Sequence, residues 1–80
     1  MPLDYIDAAM RRATYELLPN GEGVYGEVPE LRGVWVNEDS LEACRNELPE
    51  VIQSWLVISL RRGDTLPVLD GIDLNVPTYR

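Results

Sequence analysis

The spacing of apolar residues changes along the chain, and each change predicts an element. Ile6, Ala9, Met10 and Ala13 recur at i, i+3, i+4 and i+7, which predicts a short amphipathic helix over 4–13. Asp4 is a good N-cap. Asp7 falls in the first turn and Arg11 and Arg12 in the last, as the helix dipole favours. So short a helix is unstable alone and must dock on something. A first strand is predicted over 14–18. Pro19-Asn20-Gly21-Glu22-Gly23 then turns the chain, with Asn and Gly suited to positive φ. Val24 to Val28 alternates as a second strand, with Val24, Gly26 and Val28 on one face and Tyr25 and Glu27 on the other. Pro29 ends it, having no N–H to give a ladder. A turn over 30–33 leads to a third strand, 34–37, where Val34 and Val36 face away from Trp35.

Ser40 is a good N-cap for a long helix, LEACRNELPEVIQSWLVISLRR, whose stripe runs Leu41, Cys44, Leu48, Val51, Ile52, Trp55 and Ser59. Val57, Ile58 and Leu60 read as ordinary core packing, with an oligomer contact as the alternative. Pro49 conflicts with the stripe, because inside a helix it removes a backbone bond and clashes with the preceding turn. Its presence predicts a kink there, or a helix that starts nearer Pro49 than Ser40. Gly63 after Arg61-Arg62 is a natural helix stop. A loop is expected over 64–71. Ile72, Leu74 and Val76 alternate with Asp73 and Asn75, predicting a half-buried last strand over 72–76 and a frayed tail after it.

The expected order is α-β-β-β-α-β: an α+β domain with the long helix on one face of a small, mainly antiparallel sheet. Short hairpin loops favour a meander for the first three strands, and the last can return beside the first.

Composition narrows the function. Eighty residues make one domain with a limited core, which gains from a partner chain. The lone Cys44 has no internal disulfide partner and reads as a reduced, half-buried thiol in a cytoplasmic protein. No apolar run approaches the roughly 20 residues that span a bilayer, and the N-terminus has acids before arginines, the reverse of a secretory signal. Fourteen acids face seven bases, all arginine, for a net charge of −7. That balance opposes nucleic-acid binding and suits a basic partner.

The chain has no histidine, so the commonest general base and the commonest transition-metal ligand are missing. Two carboxylate groupings invite an acid, base or magnesium role: Glu38-Asp39-Glu42 and Asp70 with Asp73. The first begins a helix, where acids are stabilising anyway. The second lies at a turn and on a strand's outer face, where acids are commonplace. Cys44 lies on the apolar stripe as a small core residue. The NGEG stretch has neither the spacing nor the lysine of a phosphate loop. No enzyme, cofactor or metal site is expected. Recognition is better served: Tyr25, Glu27 and Trp35 share the sheet face opposite the valines, and exposed aromatics there suit an interface. Their exposure depends on whether the first helix, or a second copy, covers them.

VPELRGVWV, a short polar link and SLEACRNEL opening a long helix together resemble the HicB family of antitoxins. Val28, Pro29, Leu31 and Gly33 match that family's turn, and Ser40, Leu41, Glu42 and Ala43 match its link and helix start. Arg61-Arg62-Gly63-Asp64 and Pro67 also follow the pattern, so the resemblance spans about 14–76. Arg32 stands where the family turn has proline, Asn37-Glu38-Asp39 where its link has glycine, and Pro49 lies within the helix. The resemblance implies a partial ribonuclease-H-like fold without catalytic carboxylates. The first helix would be an addition of short members lacking a C-terminal DNA-binding domain. It also implies a function: inhibition of a small basic HicA-type mRNA-cleaving toxin by covering its active site. Exposure and charge, not a family motif, nominate the contacts: Tyr25, Glu27, Glu30, Trp35, Glu38 and Asp39. A homo-oligomer, dimer or tetramer, is expected. Two other readings stay open. One is a stand-alone oligomeric structural or regulatory module without a toxin. The other is a divergent nuclease using carboxylates and magnesium.

Overall fold

The computed structural model describes residues 3–75. Helix α1 spans Leu3–Arg11, strand β1 Thr14–Leu17, β2 Val24–Glu27, β3 Trp35–Glu38 and helix α2 Leu41–Arg62. The strands form an antiparallel meander in the order β1-β2-β3. The layered α+β architecture is the one the pattern predicts: Val24, Val28, Val34 and Val36 face α2, whose Cys44, Leu48, Ile52 and Leu56 are fully buried against them. Cys44 is wholly rather than half buried, and its thiol donates to the Val24 carbonyl at 3.2 Å.

The turns follow local chemistry. Asn20 (φ 59°) and Gly21 (φ 71°) take the left-handed conformation between β1 and β2. Leu31, inside the β2–β3 turn, is buried and anchors that turn to the core. The Ser40 hydroxyl accepts from the Ala43 N–H at 3.0 Å, and Gly63 ends α2 at φ 73°. α2 therefore starts at Ser40 and continues through Pro49, so the later start does not occur. The donor that Pro49 lacks would have served the Arg45 carbonyl. Arg45 is exposed, where solvent can take that place.

α1 lies beside α2, on the helical side of the sheet. Tyr5, Ile6, Ala8 and Ala9 are buried in the common core. The Tyr5 hydroxyl donates to the Pro67 carbonyl at 2.7 Å.

The region after α2 departs from expectation. Among the described residues the sheet has three strands, and 72–75 do not join it. Instead Leu69 and Ile72 exchange backbone hydrogen bonds across Asp70 (φ 49°) and Gly71 (φ 79°), a two-residue hairpin turn. Asn75 closes this small hairpin, its side chain accepting from the Leu66 N–H at 2.7 Å and donating to the Leu66 carbonyl at 3.0 Å. Residues 72–75 therefore make no strand of the sheet: Ile72 pairs in a single bridge with its own neighbour Leu69 rather than with β1. Val76 and the expected tail lie outside the described residues.

Asp70 also receives Arg11 at 2.7 Å and Arg12, which in turn pairs with Glu30 at 3.2 Å. Hydrogen bonds from Arg11 and then Arg12 hold the Asp70 carboxyl below its ordinary range. A folded-state pKa below the unfolded one adds stability above the unfolded value, about 4, and loses it as pH falls through the folded value. Asp70→Asn keeps a residue that tolerates positive φ but removes the charge. The stability gap between wild type and this variant is expected to be constant above about pH 5 and to close below about pH 4. Chemical denaturation at a series of pH values measures it, and a gap unchanged at acid pH would contradict the role given to the ion cluster.

Candidate functional site

The strand register places the outer face of the sheet. Glu27 stands opposite Thr14 on β1 and Trp35 on β3, while Tyr25 stands opposite Glu16 and Asn37. These six side chains share the face turned away from α2, since alternate residues of a strand point to opposite sides. Because α1 packs beside α2, no described element covers this face. Trp35 is 55% exposed, and Tyr25 and Glu27 are half-buried.

The centre of the face is ordered. Tyr25 and Trp35 are diagonal cross-strand neighbours, their rings stacked 6.1 Å apart at 22°. The Tyr25 hydroxyl donates to Glu27 Oε1 at 2.9 Å. That hydrogen bond, with slight burial and the charges of Glu27 and Glu16, pushes the Tyr25 pKa up. A cleft of about 310 Å³ opens between this group and the β2–β3 turn, lined by Tyr25, Glu27, Pro29, Leu31, Arg32 and Trp35. The turn is braced from behind, where Trp55 Nε1 donates to the Arg32 carbonyl at 3.1 Å.

Of the six contact residues nominated from sequence, the structure brings Tyr25, Glu27 and Trp35 together. Glu30 lies in the β2–β3 turn and is held by Arg12. Glu38 ends β3 on the same side as Val36, and exposed Asp39 lies in the link to α2. Glu38 is three residues from Trp35 along an extended strand, about 10 Å away. The residue that sequence reasoning missed is Glu16. Its signal was available in the alternation of Thr14 and Glu16 against Tyr15 and Leu17, once the first hairpin's register is counted.

Of the carboxylates considered for chemistry, Asp70 and Asp73 have internal partners. Asp70 is held by two arginines, and Asp73 Oδ1 accepts from the Asn75 backbone N–H at 2.9 Å. Glu42 lies in the first turn of α2. Among the described residues no three His, Cys, Asp or Glu side chains gather as metal ligands would. No described helix is long and apolar enough to cross a membrane.

A search among curated proteins finds no match. Among solved structures, the crystal structure of TTHA0281 from Thermus thermophilus is similar at 39% identity and a TM-score of 0.83, over 95% of this chain and 94% of that one. The family model described as UPF0150-like matches residues 4–67, from the start of α1 to the proline that receives Tyr5. That span contains both helices and the whole meander with its open face, and the chain belongs to the UPF0150-like family.

Proposed function

We propose that the chain is the antitoxin of a type II toxin–antitoxin pair, which binds a HicA-type mRNA-cleaving toxin and covers its active site. The observation that carries this reading is the uncovered face around Tyr25, Glu27 and Trp35 on a chain of net charge −7. A toxin that grips RNA must be basic, and an acidic face steers such a partner and competes with the RNA for the same surface. Membership in the UPF0150-like family, of small antitoxin-type domains, supports it. So does the match of the VPELRG turn and the SLEA helix start to the HicB pattern.

Co-expression with any small basic protein encoded beside its gene tests the reading. A stoichiometric complex with suppressed RNA cleavage is expected, and reversing Glu27 to Arg should weaken it at least tenfold, most of all at low salt. Absence of both complex and suppression would overturn the proposal. The stand-alone oligomeric module would then lead, supported by Ile58 and Leu60, which are 52% and 40% exposed rather than core. Self-association through that stretch of α2 is compatible with toxin binding, because it lies on the helical layer and leaves the outer sheet face free.

A further inference from the structure

We propose that the cleft bounded by Tyr25, Glu27 and Trp35 is a socket for one arginine side chain of a basic protein partner. The inference rests on the reading of this face as the partner-binding surface and adds the chemistry of its anchor.

A guanidinium is planar and weakly hydrated, stacks on aromatic faces, and presents several N–H donors to a carboxylate. The cleft offers both recognition elements side by side. Trp35 supplies an exposed ring, with Tyr25 stacked against it. Glu27 supplies the carboxylate, and its geometry is set before any partner arrives, since Oε1 takes the Tyr25 hydroxyl. The second carboxylate oxygen is left for an incoming donor. Among the described residues no cation lies within ion-pair distance of Glu27, although Arg32 lines the same cleft. Glu16, across the strand from Tyr25, adds a second negative charge to the face. Glu30, by contrast, is already matched by Arg12. A lysine would gain less here, because its compact, strongly hydrated ammonium neither stacks nor forks onto a carboxylate.

The test uses the whole chain and two probes, an octa-arginine and an octa-lysine peptide, titrated at near-physiological salt. The readouts are the Trp35 indole resonance and the Tyr25 amide, with the amide of Ile52, fully buried in α2, as internal reference. Octa-arginine is expected to shift Trp35 saturably and to bind at least threefold more tightly than octa-lysine. Glu27→Gln and Trp35→Ala should each weaken it at least fivefold. Glu50→Gln, which removes the same charge from the exposed side of α2, should leave it within twofold. Equal affinity for the two peptides, or equal effects of Glu27→Gln and Glu50→Gln, would overturn the socket, since binding would then follow net charge alone. The antitoxin reading is scored separately, by toxin suppression with the wild-type chain. Suppression with no peptide discrimination refutes the socket alone. Discrimination with no toxin complex upholds the socket and refutes the antitoxin.

Discussion

Gly23→Ala is expected to destabilise the domain by about 2–4 kcal/mol, a large part of what so small a chain has to lose. Gly23 takes φ 96°, a region that costs a residue with a side chain roughly 1–2 kcal/mol. A Cβ there would also lie 2.4 Å from the Glu38 carbonyl oxygen, a main-chain atom at the end of β3. The strand cannot swing away like a flexible side chain, because its Glu38 is paired with Val24 of β2. Gly21→Ala is the control: Gly21 is also left-handed, at φ 71°, but a Cβ there meets nothing within 4 Å. It should lose only the conformational part, about 1 kcal/mol. Urea denaturation of both variants measures the difference, and equal losses would show that β3 gives way more easily than its pairing suggests.

The second large effect is expected from Tyr5→Ala, at about 3–5 kcal/mol. Tyr5 is completely buried and is among the largest side chains to be so. Its ring holds α1 in the core, and its hydroxyl fastens α1 to Pro67. Tyr5→Phe keeps the ring and should cost only about 1 kcal/mol, leaving the Pro67 carbonyl without its donor. Denaturation curves give the magnitudes, and amide exchange gives the location. In Tyr5→Ala, protection should fall first in α1 and the 66–75 hairpin, while the Tyr25 and Trp35 amides hold. Uniform loss across the sheet would mean that α1 and the meander unfold as one unit.

These two variants also separate what the sequence revealed from what it concealed. The meander was legible because each strand carries its own period-two pattern, with Pro29 and the Asn20-Gly21 pair marking its turns. α2 was legible for the same local reason, from the Ser40 cap to Gly63, and Pro49 proved tolerable inside it. The outer face followed directly, since alternation alone separates Tyr25, Glu27 and Trp35 from the valines. Longer-range partnerships were concealed. The amphipathic stripe of α1 requires a docking site but does not identify it. Glu30 looked like an exposed acid available to a partner, yet Arg12 claims it. The strand expected over 72–76 does not form within 72–75, where Ile72 makes a single bridge with Leu69 instead of returning beside β1. The Asp70-Gly71 pair, a strong hairpin signal between two apolar runs, was hidden inside a stretch that reads as loop.

The hydrogen bond from Tyr5 to Pro67 joins residues 62 apart in sequence, and that separation sets an order of events during synthesis. α1 is the first described element to leave the ribosome, yet its docking site is assembled from α2 and the hairpin that follow it. A helix of nine residues does not hold its shape while it waits. The meander and α2 can therefore form before α1 docks, so the earliest residues made are among the last to settle. Substitutions at Tyr5 should accordingly act mainly by speeding unfolding, with little slowing of folding. A nascent chain stalled before Pro67 emerges would carry α1 undocked while its acidic sheet face was already formed.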